Sequence, residues 1–339
     1  MMPSPSRPLQ LLVLLLLCAS TSRAWAWGCS GHETVALIAQ LELNNLDTAN
    51  NTHVLDQVKS LLALQSRPYA GRYCSELKLD PIAYYATWAD DHRSVDATTG
   101  PWHFWDIPLS VKTGTDGQYC STGCVIQALK DQIAILKDKT KPDADRSIAL
   151  LYVIHFIGDM HQPLHEEDNN DRGGNCVPVD YLGSAPKATD AQGDYALNLH
   201  GVWDTQLLEA AGKITRTSPE ASTEIQAFAN SLFKTHAVTI NRAGSAPIDL
   251  VAWANAAHAI ARKHPYTLLT PAVAPDPKVQ PVSLCSDNNT SANYFAKNET
   301  ITAAYAKAAH TDIRKQVSLA GGRLAAVLYT SLGTASSGQ

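Results

Sequence analysis

Apolar side chains recur every three or four positions along almost the whole chain, the spacing that places them on one face of an α-helix. This spacing is clear at Leu55–Leu62 and Val125–Leu136, and residues 143–160 form a longer, strongly apolar segment that we expect to be the central helix. Alternating patterns typical of strands are scarce. Four further helices are expected, at 194–211, 247–263, 299–315 and 317–332.

Turn-forming residues separate these segments. Ser30 and Glu33 have the spacing of a capping box at the start of the first helix. Residues 101–122 and 166–190 are rich in Gly, Asp and Pro, and 271–289 is a Pro-rich connection. The sequence contains no internal repeat and no polar linker that would argue for two domains. We therefore predict one large all-α domain.

The N-terminal residues have the pattern of a secretory signal peptide. Arg7 precedes the apolar run Leu11–Leu17, and Ala24-Trp25-Ala26 fits an A-x-A cleavage site. The run is too short to span a membrane, although an uncleaved anchor is the alternative, and no later stretch stays apolar for about 20 residues. We expect residues 1–26 to be removed, leaving a secreted domain of residues 27–339 that begins at Trp27 and has no membrane anchor.

Charge excludes one class of function. The net charge is −5, and residues 1–26 hold two arginines and no acidic residue, so their removal makes the domain more negative. A chain of this charge is not expected to bind a polyanion through a Lys/Arg patch. If it acts on nucleic acid, the positive charge must come from another source.

Cysteines and sequons agree with an oxidising compartment. Six of the seven cysteines follow residue 26, and an even number in a secreted chain favours disulfides over the alternative of zinc–thiolate sites, because no C-x-x-C occurs. Cys120 and Cys124 flank a turn and are the easiest pair to close. We expect the others to pair as Cys29–Cys74 and Cys176–Cys285. Sequons for N-glycosylation occur at Asn50, Asn288, Asn289 and Asn298.

The segment from His155 to His165 carries the strongest chemical signal. It places three histidines and Asp159 inside an apolar run, where unsatisfied polar groups are costly to bury. His155 and Asp159 share a helix face, and Pro163 ends the helix so that His165 can approach from another direction. Imidazole and carboxylate ligands that converge in this way suit zinc. The alternative is a core helix whose polar groups bond to one another.

Three further segments supply similar side chains. His200 and Asp204 repeat the His-x3-Asp spacing on a second apolar helix, His103 lies in an aromatic loop, and Asp90 ends a third apolar stretch. Each alone fits an ordinary buried or helix-end polar residue. Together they offer more ligands than one zinc ion uses.

These motifs resemble those of the secreted zinc-dependent single-strand nucleases and 3′-nucleotidases, the class I nucleases, over nearly the whole chain after residue 26. The resemblance implies an all-α fold shared with the bacterial zinc phospholipases C. The matching motifs are Trp27-x4-His32, Trp88-Ala-Asp90, His103-Phe104, His155-x3-Asp159-x5-His165 and His200-x3-Asp204.

The resemblance implies three zinc ions, of which the first two share Asp159. It assigns Asp90, His103, His155 and Asp159 to one ion, the amino group and carbonyl of Trp27 with His32 and Asp159 to a second, and His165, His200 and Asp204 to a third. Three divalent cations would also make the site of an acidic protein positive.

The implied activity is hydrolysis of phosphodiester bonds in single-stranded DNA and RNA to 5′-phosphate products, and of 3′-nucleotides. The close pair of ions, held by Asp90 and Asp159, activates a water for attack on phosphorus, and the third stabilises the leaving 3′-oxygen. Arg93 matches an arginine that contacts the scissile phosphate. We expect a monomer.

The resemblance also implies how a base is bound. Phe104 matches the residue that stacks on the base, Asp106 the residue that hydrogen-bonds it, and Asn175 is a weaker match to a polar residue of the same pocket. Stacking explains a preference for single strands, because a base in a duplex is not free to be sandwiched. His161 is not a ligand in the family, and we interpret it as supporting the ligands.

Two alternatives stay open at this point. A zinc phospholipase C would have the same metal site, although the Trp27–His32 spacing and Asp204, where phospholipases carry Glu, argue against it. A non-enzymatic zinc protein would have closed structural sites. The positions of Cys29, Cys74 and Cys176, and the Asp91-His92 pair, depart from the family pattern and leave loop geometry and substrate preference open.

Overall fold

A computed structural model of the chain describes residues 27–68, 73–184, 197–235, 248–268 and 299–333. The predicted signal peptide and the sequons at Asn288, Asn289 and Asn298 lie outside these residues. The described part is mostly helical, which confirms the all-α prediction. Its helices are α1 (Cys29–Asn50), α2 (Val54–Leu62), α3 (Pro81–Tyr84), α4 (Trp88–Arg93), α5 (Val125–Lys137), α6 (Asp143–Asp159), α7 (Leu199–Gly201), α8 (Leu207–Gly212), α9 (Ala221–Thr235), α10 (Leu250–Ala261) and α11 (Ala303–Leu332).

Helix α6 lies at the centre, as predicted. Every residue from Ala149 to Asp159 is buried, so the helix is surrounded on all sides by the neighbours α1, α2, α5 and α11. Helix α1 packs along α11 over much of its length. The functional consequence is that any polar side chain near the end of α6 is held in the interior, away from bulk water.

Two local predictions are wrong. Helix α1 begins at Cys29, so Ser30 is not its cap; the Ser30 hydroxyl donates to Glu209 Oε1 at 2.8 Å, and Glu33 forms an ion pair with Arg216. The two helices expected at 299–315 and 317–332 are one 30-residue helix, α11. Both errors come from contacts with distant parts of the chain, which outweigh the local pattern.

Short irregular elements complete the framework. A parallel pair of strands, β1 (Val179–Tyr181) and β2 (Glu299–Ile301), was not predicted. A seven-residue 3-10 segment covers Ala97–His103, a single 3-10 turn covers Pro163–His165, and a π-helical turn, Val202–Gln206, joins α7 to α8. These three turns all carry candidate ligands or follow them directly.

The disulfides follow the predicted pairing where both cysteines are described. Cys29 is bonded to Cys74 and Cys120 to Cys124. Cys176 is also disulfide-bonded, but Cys285, its predicted partner, lies outside the described residues. Among the described helices, none combines the length and the apolar character needed to cross a membrane.

Candidate metal centre

Every His and Asp side chain among the predicted ligands is buried in the interior. They come from α1, α4, the 97–103 turn, α6, the 163–165 turn and the α7 segment with the π-turn that follows it. These side chains are His32, Asp90, His103, His155, Asp159, His165, His200 and Asp204. Helix ends and tight turns thus bring side chains from six segments to one region beyond the C-terminal end of α6.

The eight side chains form two clusters. The five-residue cluster contains His32, Asp90, His103, His155 and Asp159, and the three-residue cluster contains His165, His200 and Asp204. Within each of the sets His32–Asp90–His155, His103–His155–Asp159 and His165–His200–Asp204, one ligand atom per residue lies within 4.8 Å of the others.

Asp159 joins the two sides of the five-residue cluster. Its Oδ1 lies 3.2 Å from His32 Nε2, whereas its Oδ2 lies 2.9 Å from His103 Nδ1 and 3.3 Å from His155 Nε2. Asp90 Oδ1 completes the cluster at 3.8 Å from His155 Nε2 and 3.9 Å from His103 Nδ1. One carboxylate therefore presents a different oxygen to each of two groups of ligands, which is the arrangement expected of a bridging residue.

Backbone carbonyls fix the orientation of the histidines. His155 Nδ1 lies 2.8 Å from Ala86 O, and His165 Nδ1 lies 2.9 Å from His103 O. His200 Nδ1 lies 2.7 Å from Gly173 O. A ring that donates its Nδ1 proton to a carbonyl presents the Nε2 lone pair on its other side, as metal-binding histidines commonly do.

This orientation creates an electrostatic requirement in the three-residue cluster. His165 Nε2 and His200 Nε2 lie 3.1 Å apart, and Asp204 Oδ2 lies 3.2 Å from His200 Nε2. The two Nε2 atoms and the Asp204 carboxyl thus converge on one point in the interior, where burial raises the pKa of Asp204 well above its usual range. A cation bound at this point would stabilise the ionised carboxylate. The other oxygen of Asp204 accepts a hydrogen bond from the Gln162 amide, which holds the carboxylate in place.

Unpartnered atoms give an independent test of metal binding. In the described part of the chain, several buried ligand atoms have no hydrogen-bond partner, although buried polar atoms are nearly always paired. They are Asp90 Oδ1, His103 Nε2, Asp159 Oδ1, Asp204 Oδ2 and both ring nitrogens of His32. These atoms fit the nitrogen and oxygen donors that zinc takes.

Charge coupling dominates the five-residue cluster. Burial alone would lower the pKa of His155, but the carboxylates of Asp159 and Asp90 outweigh burial and raise it to about 9. Burial opposes ionisation of Asp159, yet the charge of His155 and the hydrogen bonds from His103 and His155 hold its pKa well below the usual range. Burial lowers the pKa of His103 to about 4, so its ring is neutral near pH 7.

Zinc binding to the metal-free protein is expected to strengthen as pH rises from 6 to 8. With its pKa raised to about 9, His155 carries a proton over this range, and a metal must displace it. Release of one proton predicts an affinity that rises about tenfold per pH unit. Chelator-competition titrations at pH 6, 7 and 8 measure this slope, and a flat profile would contradict the proposed ligand role of His155.

The substrate-binding candidates lie mostly around one pocket. Arg93, Phe104 and Asp106 line a cavity of about 360 Å³ together with the ligand His200. Burial of the Asp106 carboxyl and the negative charge of Asp168 together raise the pKa of that carboxyl to about 7. Other parts of the Asp106 residue are exposed to solvent. Asn175 is buried beside the pocket and donates to Arg172 O at 2.8 Å rather than lining it.

A larger open groove of about 1070 Å³ lies elsewhere, between residues 76–84 and α9. None of the clustered ligands borders it. Size therefore does not identify the site in this molecule, whereas the overlap of pocket and ligand clusters does.

Trp27 lies at the entrance to α1, directly before the helix that carries His32. Its side chain is buried, and Gly28 N donates to Asp204 O at 2.9 Å. The start of the described chain is thus tied to the ligand-bearing π-turn. Trp27 is therefore one residue from a backbone contact with the π-turn that carries Asp204.

Some residues of the site were not predicted from the sequence. The side-chain amide of Gln162 donates to Asp204 and so orients it, and the side-chain oxygen of Gln162 accepts from Leu164 N at 2.6 Å. Arg172 and Glu167 line the pocket. His161, which the sequence analysis interpreted as supporting the ligands, contacts Ile157 O and Arg323 and so connects the segment that follows α6 to α11. The one available signal for Gln162 was its position between Asp159 and His165.

Comparison with known proteins agrees with this geometry. A sequence model of the family described as S1/P1 Nuclease matches residues 27–333. The chain is 33% identical to Nuclease S1 of Aspergillus oryzae over 194 residues, 55% of this chain and 56% of that protein. It is 31% identical to Nuclease P1 of Penicillium citrinum over 189 residues, which cover 53% of this chain and 58% of that protein. It is 26% identical to Endonuclease 2 of Arabidopsis thaliana over 203 residues, which cover 59% of this chain and 62% of that protein.

The aligned parts span little more than half the length of these relatives. The family match is broader, since it covers all the ligand positions from Trp27 to Asp204 and continues through α11. It confirms the class I nuclease resemblance. On this evidence the chain belongs to the S1/P1 nuclease family.

Proposed function

We propose that this protein is a secreted, zinc-dependent nuclease that hydrolyses phosphodiester bonds in single-stranded DNA and RNA, leaves 5′-phosphates, and also removes phosphate from 3′-nucleotides. The observation that supports this most directly is the position of His200. Its ring belongs to the three-residue cluster and also lines the pocket with Arg93 and Phe104. A metal held there would meet a bound substrate, which a closed structural site would not allow.

Three zinc ions are proposed, with the five-residue cluster and Trp27 holding two and the three-residue cluster holding one. Zinc supplies a water of lowered pKa and stabilises charge on the phosphate and the leaving oxygen. The side chains contribute negative charge and order: Asp159 faces both halves of its cluster, and Gln162 and the backbone carbonyls fix the other ligands.

We propose that Arg93 binds the scissile phosphate. It is buried, lines the pocket, and its Nη2 lies 3.6 Å from Asp90 Oδ1. A guanidinium beside the five-residue cluster can donate to a phosphate oxygen while Asp90 keeps it oriented. Charge on the substrate is thus met by a fixed donor inside the pocket.

The proposal is tested by assaying secreted protein on denatured DNA, on duplex DNA and on phosphatidylcholine, with its zinc content measured in parallel. We expect about three zinc ions per chain and hydrolysis mainly of the denatured DNA. Hydrolysis of the lipid alone would favour a phospholipase C. No hydrolysis at full zinc content would favour a structural metal protein.

Phe104→Ala is expected to weaken binding of single-stranded substrate while zinc content stays at the wild-type level. The ring is half-buried in the pocket, 5.1 Å from the ring of His165, and base stacking contributes about 1–3 kcal/mol. We expect KM to rise about tenfold, and Phe104→Tyr to restore most of the loss. A fall in kcat with unchanged KM would contradict a stacking role.

Extra residues before Trp27 are expected to lower activity by roughly ten- to a hundredfold, if its amino group is a ligand as proposed. The geometric basis is that Trp27 is buried between α1 and the π-turn. The measurement compares protein that starts at Trp27 with protein that carries a short uncleaved N-terminal tag, by activity and zinc content. Full activity with the tag shown intact by mass spectrometry would refute the amino-group ligand.

A further inference from the structure

We propose that Arg172 binds the phosphate on the 5′ side of the nucleotide held in the pocket, so that the site favours chain substrates over 3′-mononucleotides. This inference rests on the nuclease function proposed above. Its first support is position, because Arg172 lines the same cavity as Phe104, Asp106 and His200.

The backbone of Arg172 is held in a conformation that L-amino acids rarely adopt. Its φ is 58°, in the left-handed region, which glycine adopts easily but a residue with a side chain, such as arginine, does not. Asp168 Oδ1 accepts from the amides of Asp171 and Arg172, each at 3.1 Å, and the Asn175 amide donates to Arg172 O at 2.8 Å. Strain of this kind persists where the surroundings determine it, and it is concentrated at binding sites.

The loop that carries Arg172 is anchored on both sides of the residue. Asp171 Oδ1 accepts from Gly174 N at 2.8 Å and from the Tyr266 hydroxyl at 2.9 Å. On the other side, Gly173 O accepts from His200 Nδ1. Arg172 therefore stands on a fixed support one residue from the group that orients a ligand, and its placement relative to the three-residue cluster is constrained.

The charge of the pocket shows why a second arginine is needed. Apart from its arginines and His200, its wall offers the carboxyl groups of Asp106, Glu167 and Asp168, which supply no positive charge for a polyanion. Arg93 lies beside Asp90, at the five-residue cluster. Arg172 comes from a separate loop, so we assign the two guanidinium groups to two different phosphates, for which the planar fork of arginine is well suited.

The expected orientation of a bound nucleotide indicates that its 5′ phosphate is the group that Arg172 contacts. In the proposed function the base lies on Phe104, and the 3′ oxygen faces the three-residue cluster. The sugar then lies in the cavity that Phe104, His200 and Arg172 line together. The remaining charged substituent of that sugar is the 5′ phosphate, which a chain carries and a 3′-mononucleotide lacks.

The test compares adenosine 3′,5′-bisphosphate with adenosine 3′-monophosphate, following release of the 3′ phosphate by the zinc-loaded protein. We expect the wild-type kcat/KM to be higher for the bisphosphate. In Arg172→Ala the ratio of the two kcat/KM values should fall about tenfold or more, and Arg172→Lys should recover part of it. On single-stranded oligonucleotides, the plot of log affinity against log salt concentration should become shallower in Arg172→Ala. The expected change in slope is about 0.7, the value for the loss of one phosphate contact on a single strand.

Arg146→Ala is the matched control, because Arg146 lies at the start of α6 and pairs with Asp143. It should leave the ratio at the wild-type value. An unchanged ratio in Arg172→Ala would overturn the inference, as would a loss confined to guanine substrates, which would make Arg172 a base reader. A fall in zinc content in both Arg172 variants would show that the residue only supports the metal cluster. Wild-type protein that hydrolyses neither the two nucleotides nor denatured DNA would instead refute the proposed nuclease function.

Discussion

Asp159→Asn is expected to remove two of three zinc ions and to lower nuclease activity by about a thousandfold or more. Asp159 presents Oδ1 to His32 and Oδ2 to His103 and His155, so an amide, which has one acceptor oxygen, cannot serve both sides. Loss of the paired ions removes several kcal/mol of transition-state stabilisation, and each 1.4 kcal/mol corresponds to about tenfold in rate.

Zinc content per chain, measured with kcat/KM on denatured DNA, distinguishes a bridging residue from an ordinary ligand. Asp204→Asn should remove about one ion, since Asp204 belongs to the three-residue cluster alone. Asp47→Asn is the control: its carboxylate accepts from Thr52, Val54 and Leu55 far from the ligands, so it should cost stability and keep all the zinc. Equal metal losses in Asp159→Asn and Asp204→Asn would contradict the bridging role.

The candidate ligands could be singled out from the sequence because their chemistry is unusual for the segments that carry them. A His-x3-Asp pair in an apolar run is costly to bury alone, and the helical period places both residues on one face. His155 with Asp159 and His200 with Asp204 both satisfy this, and the structure places each pair in a cluster. Their grouping could not be derived from spacing, because it depends on where α1 and the 97–103 turn meet α6.

The supporting residues could not be predicted because their partners are far away in the sequence. Gln162 acts on Asp204, 42 positions later, and Arg172 lines a pocket built from several loops. The same explanation applies to the continuous helix α11, for which the sequence predicted two helices separated at residue 316. Gln316 is buried and donates to His161 O at 2.9 Å, so this polar residue is satisfied inside the fold and the helix continues through it. Local pattern describes faces and periods, whereas these contacts depend on tertiary packing.

Gly158→Ala is expected to displace His32 and to lower activity by about a hundredfold, even though alanine favours a helix interior by roughly 1 kcal/mol. Gly158 lies on α6, and a Cβ there would stand 2.7 Å from His32 Nδ1 and 2.9 Å from its Cε1. The ring is stacked against His155, with centroids 3.9 Å apart, which restricts its retreat. A ligand shifted by about 1 Å is enough for a loss of this size.

Gly321→Ala provides the same substitution with a similar overlap away from the ligands, because its Cβ would stand 2.4 Å from Ile38 Cγ2. That variant should lose stability through overpacking and retain its zinc and its activity per folded molecule. Gly158→Ala should show the opposite balance, with zinc content falling from about three to about two and a smaller change in Tm. Wild-type zinc affinity in Gly158→Ala would mean that His32 tolerates the displacement, and that α6 needs glycine here for a reason other than space for a ligand.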